Sequence, residues 1–360
     1  MTATEPLPPG SIIGILGGGQ LGRMLALAAA RLGMKTHIFC PDPESPAFDV
    51  TPRRTVAAYD DDIALAAFAA AVDVVTYEFE NVPVATARFL AARKPLHPGA
   101  AALEIAQDRL REKTFVSGLG IGVAPWRPVA SRADLDSAIA DLGLPAVLKT
   151  TRLGYDGKGQ RLLRAPADTA AAFAELEPKP LVLEAFIPFD REVSVIVARG
   201  ATGEIRAFDP AENVHRHHIL ATSTVPANLT AAQTTAAVEA ASRIVAALDY
   251  VGVLGVEFFV AGDTLLVNEI APRVHNSGHW TEAVCVTDQF EQHIRAILGW
   301  PLGDPTRLAD VQLENLIGEA ALNLPARLGP GIRPHLYGKR EARPGRKMGH
   351  LDHIVLPPVK

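Results

Sequence analysis

The sequence has few of the features that mark membrane, secreted or nucleic-acid-binding proteins. Only two cysteines, Cys40 and Cys285, occur in 360 residues, and their spacing matches neither a zinc site nor a redox motif. Apolar runs stay below the roughly 18 residues that a membrane-spanning helix needs, and the amino terminus lacks a signal-type pattern. A net charge of −5 without long charged blocks leaves no electrostatic footprint for nucleic acid. We therefore expect a cytoplasmic protein with reduced cysteines.

The composition that is present is typical of a globular protein with two or three domains. Hydrophobic residues make up 48% of the chain and charged residues 21%. Strand-like runs at residues 12–16, 35–40 and 72–76 alternate with helical runs such as residues 23–32. This alternation predicts a parallel α/β unit that ends near Arg109.

A glycine-rich turn, Gly-Gly-Gly-Gln-Leu-Gly at residues 17–22, follows the first predicted strand. Its Gly-x-Gly-x-x-Gly spacing, with Asp42 twenty residues beyond Gly22, matches a dinucleotide-binding fingerprint. An NAD-dependent oxidoreductase is therefore one alternative. The same glycines also suit a tight turn that holds an anion at a helix amino terminus.

A second glycine-containing loop follows Lys149, which ends the predicted strand 146–149. The loop has glycines at 154, 157 and 159, and its backbone amides are suited to covering phosphates. It is not a Walker loop, because the Gly-x-x-x-x-Gly-Lys-Ser/Thr order is missing.

Further along, Glu184 and Glu192 flank a hinge-like segment whose backbone could pair with a purine edge. Arg191 begins a strand that we predict in a second small sheet. The histidines at 215, 217 and 218 suit no ordinary zinc site.

The densest group of reactive side chains lies at residues 268–280, Asn-Glu-Ile-Ala-Pro-Arg-Val-His-Asn-Ser-Gly-His-Trp. Glu257 lies twelve residues before Glu269, and a turn at residues 261–263 predicts a hairpin between them. With a three-residue loop, Val267 would face Glu257, and Glu269 would lie diagonally beside it on the same face. Two carboxylates at such a short distance repel each other unless a cation lies between them. Oxygen ligands favour Mg²⁺ or Mn²⁺, and Mg²⁺ usually also binds substrate phosphates, so the hairpin implies a nucleoside triphosphate.

A third unit follows Trp300 and contains the predicted strand 311–317. Basic residues alternate with glycines and prolines between Lys339 and Lys347. Such a segment is suited to binding a phosphate or a carboxylate.

The strand lysine with its glycine-rich loop, the two acids around a hinge and the Glu…Asn-Glu hairpin together resemble the ATP-grasp superfamily. Within it, the sequence is most similar to the N5-carboxyaminoimidazole ribonucleotide synthetase family, from the turn at residue 17 to His350, with residues 154–160 and 268–280 as the most specific strings. The resemblance implies an α/β (α+β) ATP-grasp fold. Its expected domains are a Rossmann-like domain (1–109), an ATP-grasp domain (110–300) with a mobile lid at about 110–183, and a small carboxy-terminal domain (301–360).

The resemblance also implies roles for individual residues. The expected ATP contacts are Arg109, Lys149, Gly154, Tyr155, Asp156, Gly157, Lys158, Gly159, Gln160, Glu184, Ala185, Phe186, Ile187, Glu192, His215, Asn268 and Glu269. The expected metal ligands are Glu257 and Glu269. The expected substrate contacts are Gln20, Leu21, Glu80, Arg273, His275, Asn276, Arg346 and Lys347. The residues expected to act in catalysis are Tyr155, Asp156, Arg273 and Lys347.

The activity that the resemblance implies is the ATP- and bicarbonate-dependent carboxylation of 5-aminoimidazole ribonucleotide in de novo purine biosynthesis. The reaction would pass through carboxyphosphate, release ADP and phosphate, and use Mg²⁺, with Mn²⁺ as an alternative. A homodimer and a downstream mutase that receives N5-carboxyaminoimidazole ribonucleotide are also implied. Alternatives are a formate-dependent glycinamide ribonucleotide transformylase of the same superfamily, the NAD-dependent oxidoreductase, and a nucleotide-binding module without activity.

Overall fold

A parallel sheet forms the amino-terminal part of the protein, whose computed structural model describes residues 5–154, 157–177 and 179–355. The sheet has the order β3-β2-β1-β4. Its strands are β1 (Ile12–Leu16), β2 (Lys35–Phe39), β3 (Arg53–Thr55) and β4 (Val74–Tyr77). Its helices are α1 (Gln20–Arg31), α2 (Asp62–Ala70), α3 (Val84–Ala91) and α4 (Ala100–Ala106). Because β1 and β4 are apolar and buried on both faces, as parallel strands usually are, the predicted parallel α/β unit is confirmed.

A second sheet is antiparallel, with four strands in the order β5-β8-β6-β7. Its strands are β5 (Trp126–Val129), β6 (Ala146–Thr150), β7 (Gln160–Leu163) and β8 (Leu181–Ala185). Two helices, α6 (Arg132–Leu142) and α7 (Thr169–Leu176), contribute to its separate apolar core. The glycine-containing loop after Lys149 is the connection between β6 and β7.

The largest sheet is antiparallel and has nine strands. Eight of them follow the order β14-β13-β9-β11-β12-β15-β17-β16, and β10 pairs with β9. Their bounds are β9 (Arg191–Arg199), β10 (Ile205–Ala207), β11 (Ala211–Arg216), β12 (Ile219–Val225), β13 (Gly252–Ala261), β14 (Thr264–Ala271), β15 (Asp310–Ile317), β16 (Ile332–Leu336) and β17 (Lys347–Val355). The prediction that the Arg191 strand belongs to a small sheet is wrong, because β12 pairs with β15 and so joins the last three strands to the same sheet.

The remaining helices cover the large sheet or connect it to the parallel sheet. They are α5 (Arg109–Gly118), α8 (Ala231–Ala247), α9 (Thr281–Val284) and α10 (Gln289–Ile297). Helix α8 shares an apolar core with β9 and β13, and α10 shares a core with α1. Among the helices of the described residues, none is long and apolar enough to cross a bilayer.

Candidate active site

One cavity of about 730 Å³ brings most of the predicted site residues together. It is lined by the β6–β7 loop, β8, the segment after β8, the β13–β14 hairpin and the residues that follow it. The predicted residues at this cavity are Glu80, Arg109, Lys149, Gly154, Gly157, Lys158, Gln160, Glu184, Ala185, Phe186, Ile187, Glu192, His215, Glu257, Asn268, Glu269, Arg273, His275, Asn276 and Lys347. Tyr155 and Asp156 lie outside the described residues.

A buried cluster of one carboxylate and two ammonium groups lies at the cavity. Lys149 donates a hydrogen bond from Nζ to Glu184 Oε2 at 2.9 Å, and Lys113 Nζ lies 3.2 Å from the same oxygen. Burial alone would raise the pKa of Glu184, but attraction by the two lysines outweighs it and holds the pKa at about 2. Three buried charges with a net positive sign suit an anionic ligand such as a polyphosphate.

The segment after β8 supplies apolar and polar groups to the same cavity. The rings of Phe189 and Phe259 stack with centroids 4.6 Å apart, and Phe186 also lines the wall. Beyond them, Glu192 pairs with His215 Nδ1. Although burial lowers the pKa of His215, the hydrogen bond and charge of Glu192 raise it overall.

The two predicted metal ligands face each other more directly than expected. The β13–β14 loop has two residues rather than three, since Ala261 pairs with Thr264. A β-bulge then shifts the register between Glu257 and Phe258, so Glu257 lies opposite Glu269. The prediction that Val267 faces Glu257 is wrong, because it used a longer loop and no bulge.

This carboxylate pair fits a divalent cation. Burial and repulsion by Glu269 raise the pKa of Glu257 to about 7. Asn268 adds an amide at the cavity wall, which completes a set of oxygen donors. Arg109 Nη1 is 3.9 Å from Glu269 Oε2, too far for a tight pair.

Arg273 and Glu80, both predicted as substrate contacts, form an ion pair with each other. Burial would raise the pKa of Glu80, but the Arg273 guanidinium outweighs it and holds the pKa at about 2. Arg273 Nη1 also donates to the Val274 carbonyl at 3.1 Å. The guanidinium is therefore held in place before any ligand binds.

The hydrogen-bond network defines the tautomer of His275. Ser194 Oγ donates to Ser277 Oγ at 2.6 Å, so the Ser277 hydroxyl is left to donate to His275 Nδ1 at 2.8 Å. The proton of neutral His275 then lies on Nε2, which is 3.5 Å from Glu257 Oε1. Burial, followed by the charge of Arg273, lowers the pKa of His275 to about 3. Neutral His275 thus presents an N–H group, rather than a lone pair, toward Glu257.

The glycine turn has a different partner from the one the dinucleotide hypothesis requires. Gly19 N and Gly22 N donate to the two carboxylate oxygens of Glu78 at 2.8 and 3.1 Å. The amides that would bind a pyrophosphate are therefore already paired with an internal anion. Asp42 accepts a hydrogen bond from the Glu44 amide in a local turn.

Four predicted contacts are not at the cavity wall. Leu21 packs in the core, and Gln20 is the first residue of α1. The carbonyl of Gly159 accepts from the Thr150 amide at 2.8 Å. Arg346 donates to the Glu341 carbonyl at 3.0 Å.

Sequence reasoning did not single out several charged residues that line the cavity or contact residues that line it. Glu112 and Lys113 are buried on α5, and burial followed by the charge of Glu269 raises the pKa of Glu112 to about 8. Lys339 donates to the Lys347 carbonyl at 2.8 Å, and burial lowers its pKa to about 8. The residues on α5 lie in a polar helix that carries no motif, so their burial had no signal in the sequence. Lys339 does lie in the basic segment that was predicted to bind an anion.

Comparison with known proteins covers all three parts of the chain. Residues 11–107 match the ribonucleotide synthetase preATP-grasp domain, residues 114–290 the ATP-grasp domain, and residues 313–354 the phosphoribosylaminoimidazole carboxylase C-terminal domain. The N5-carboxyaminoimidazole ribonucleotide synthase of Brucella melitensis is 56% identical over 352 residues, which cover 97% of each chain. The chain belongs to the N5-carboxyaminoimidazole ribonucleotide synthase family. The predicted family and fold class are confirmed, and the dinucleotide-binding oxidoreductase alternative is wrong.

Solved structures of the family have the same architecture. The N5-carboxyaminoimidazole ribonucleotide synthetase of Thermus thermophilus is 48% identical, with a TM-score of 0.89 over 95% of this chain and 93% of that one. An Aspergillus clavatus N5-carboxyaminoimidazole synthase, in complex with ADP and 5-aminoimidazole ribonucleotide, is 32% identical, with a TM-score of 0.90 over 96% and 94%. The protein is therefore an ATP-grasp enzyme with an ATP site. The domain boundaries at 109 and 300 stay predictions.

Proposed function

We propose that the protein carboxylates 5-aminoimidazole ribonucleotide to N5-carboxyaminoimidazole ribonucleotide, with ATP and bicarbonate as co-substrates, in de novo purine biosynthesis. One observation carries the proposal: a single cavity holds both the Lys149–Glu184 cluster and the Arg273–Glu80 pair. The Lys149–Glu184 cluster suits the polyphosphate of a nucleotide. The Arg273–Glu80 pair suits bicarbonate and the ribonucleotide that accepts its carboxyl group. The relative bound to both ADP and 5-aminoimidazole ribonucleotide supports this pair of occupants.

The ATP phosphates would lie beside Lys149 and the backbone of residues 154–160. The stacked rings of Phe189 and Phe259, with Phe186 and Ile187, offer an apolar wall for the purine. Glu192 would accept hydrogen bonds from ribose hydroxyls.

Glu257 and Glu269, with Asn268 beside them, would hold Mg²⁺, with Mn²⁺ as an alternative. When bound, the ion would offset negative charge on the phosphates and between the two carboxylates. The hairpin thus contributes an arrangement that is unfavourable without a cation and favourable with one.

The reaction that we propose has two steps. A bicarbonate oxygen bonds to the γ-phosphorus of ATP while the bond to ADP breaks, which gives carboxyphosphate. The exocyclic amine nitrogen then bonds to the carboxyl carbon, the bond to phosphate breaks, and the amine loses a proton. Arg273, held by Glu80, would bind the bicarbonate through its remaining donors. Tyr155 and Asp156 would exclude water while carboxyphosphate exists.

The ribonucleotide would lie between the glycine turn and the basic segment. Gln20 and the backbone of Leu21 would contact it from the turn, and Lys347 and Arg346 would contact its phosphate. Asn276 supports this side of the site, because both atoms of its buried side-chain amide lack a hydrogen-bond partner among the described residues. A ligand is the expected partner of such a group.

The fate of the product, the location of the enzyme and its oligomeric state are also proposed. The labile product would pass to an N5-carboxyaminoimidazole ribonucleotide mutase, and the enzyme would act in the cytoplasm as a homodimer. Family membership supports these three proposals.

Incorporation of ¹³C-bicarbonate tests the reaction. Incubation with ATP, Mg²⁺ and 5-aminoimidazole ribonucleotide should give a ¹³C carbamate resonance in step with ADP formation. Formate with glycinamide ribonucleotide should give no ADP above background. Turnover of formate and glycinamide ribonucleotide, without turnover of bicarbonate and 5-aminoimidazole ribonucleotide, would overturn the proposal in favour of the transformylase.

A further inference from the structure

A second cluster of ligating side chains lies outside the cavity, where α9 packs against β16 and β17. His335 and His350 are direct cross-strand neighbours, and Asp352 lies two residues beyond His350 on the same face of β17. Glu282 reaches them from α9. None of the four lines the cavity described above.

The distances within this cluster suit a metal ion. Glu282 Oε2 lies 3.0 Å from His335 Nδ1, and His350 Nε2 lies 3.5 Å from Asp352 Oδ2. One ligand atom from each of Glu282, His335 and His350 lies within 4.8 Å of the others. Ligands about 2.0–2.2 Å from a tetrahedral zinc ion are roughly 3.5 Å apart, so Glu282, His335 and His350 need only small side-chain movements to share one ion.

Two buried atoms of the cluster have no hydrogen-bond partner among the described residues: His350 Nε2 and Asp352 Oδ1. The side chains of both residues are at most 2% exposed. Buried polar atoms of this kind are rare unless an ion or a water pairs with them. They therefore point to a ligand that lies between the two residues.

A neighbouring tyrosine prepares His350 for this role. The Tyr337 hydroxyl lies 2.9 Å from His350 Nδ1 and 3.0 Å from His279 Nδ1, and its single proton can be donated to only one of them. When His279 accepts that proton, His350 Nδ1 donates to the Tyr337 oxygen. His350 Nε2 then carries a lone pair that faces the Asp352 carboxylate. Ligating histidines usually donate their second ring N–H in this way.

We propose that Glu282, His335 and His350 bind a transition-metal ion of the Zn²⁺ class, with the Asp352 carboxylate, next to His350, turning toward the ion as the fourth ligand. Two imidazole nitrogens with carboxylate oxygens favour Zn²⁺, Co²⁺ or Ni²⁺ over Mg²⁺. The side chains of Glu282 and His335 are 19% and 17% exposed, which provides a path for the ion. The ion would fasten α9, which follows residues 268–280, to the last two strands of the large sheet.

Calorimetric titration of the chelator-treated full-length protein with Zn²⁺ tests the proposal. We expect one ion per chain at this cluster, in addition to any ion that the cavity binds, with a rise in melting temperature and at least ten-fold weaker binding at the cluster in Glu282→Gln and in His335→Gln. The matched control is His353→Gln, because His353 lies on the opposite face of β17, where it pairs with Glu314, and its substitution should leave the affinity within two-fold. Circular dichroism of each variant checks that the fold is kept.

The carboxylate pair of the cavity could also take Zn²⁺, so the same titration is made with Glu269→Gln. The proposed ion should still bind this variant with a stoichiometry of one, and bound Co²⁺ should give visible absorption that His335→Gln removes. Saturation that needs Glu269, or an affinity that neither Glu282→Gln nor His335→Gln changes, would overturn the proposal.

Discussion

Glu257 lies directly opposite Glu269 across the β13–β14 hairpin because Asn268 is an extra residue on β14. The two-residue loop alone would bring Asn268 opposite Glu257, and the bulge moves Glu269 into that position. The hairpin therefore places two carboxylates together in a buried site. This arrangement lowers the stability of the metal-free protein and prepares a cation site.

Glu257→Gln should stabilise the metal-free protein at pH 8. The folded-state pKa of Glu257 is raised to about 7 from an ordinary 4.5, so its stability penalty develops as pH rises from 4.5 to 7 and is complete above 7. We expect the free energy of unfolding of the variant to exceed that of the wild type by about 1–3 kcal/mol at pH 8 and to differ little from it at pH 4.5. Urea denaturation at the two pH values measures it.

Mg²⁺ provides the control for this prediction. It should raise the melting temperature of the wild type at pH 8 and have little effect on Glu257→Gln, because the variant lacks one of the two charged ligands. A variant that is less stable than the wild type in chelator at pH 8 would contradict the repulsion argument.

Glu184→Ala should destabilise the fold strongly. The substitution leaves Lys149 and Lys113 as unpaired buried ammonium groups, at a cost of about 3–5 kcal/mol. The matched control is Glu175→Ala, which breaks an ion pair with Arg161 whose side chains are about half exposed. That change should cost about 0–1 kcal/mol. Chemical denaturation of both variants gives the comparison, and equal losses would contradict the importance of burial.

Arg273→Lys should impair carboxylation more than nucleotide binding. Lysine cannot reproduce the planar set of donors that contacts Glu80 and the Val274 carbonyl, so we expect kcat to fall by about 100-fold. ATP affinity should stay within about three-fold, because the Lys149–Glu184 cluster is intact. Steady-state kinetics with equilibrium ATP binding separates the two effects. A large loss of ATP affinity with unchanged kcat would contradict the proposed role.

Asp42→Ala should leave the activity nearly unchanged. Asp42 is exposed and pairs with the Glu44 amide, and Glu78 already occupies the amides of the glycine turn. We expect KM for 5-aminoimidazole ribonucleotide to change by less than about two-fold, in line with an ordinary surface substitution. In contrast, Glu78→Ala should raise this KM. Equal effects of the two substitutions would count against the substrate site at the turn.

The order of strands and helices could be predicted from local patterns, because alternating apolar segments and glycine turns are encoded over short stretches of chain. The membership of β15, β16 and β17 in the large sheet could not be predicted, since the β12–β15 pairing links residues 219–225 to residues 310–317. The predicted register of the β13–β14 hairpin was wrong because the loop is one residue shorter than predicted and because the bulge at Asn268 leaves no mark in the hydrophobic alternation.

The candidate site was predicted where its residues belong to compact motifs, as at residues 268–280. The buried charges of α5 were missed because Glu112 and Lys113 look like ordinary polar residues of a surface helix. Their burial arises from packing against β8 and β14, which brings Lys113 to Glu184 and Glu112 to the Ile270 amide. Partners so distant in sequence cannot be identified from helical spacing.

Phosphate release from ATP and Mg²⁺ in bicarbonate buffer, with and without 5-aminoimidazole ribonucleotide, tests the central claim most directly. The measurement compares the wild type with Glu269→Ala and with the exposed control Glu239→Ala. We predict release that the ribonucleotide stimulates in the wild type and the control and that falls by at least about 100-fold in Glu269→Ala. Release that is independent of the ribonucleotide, or unchanged in Glu269→Ala, would contradict the account.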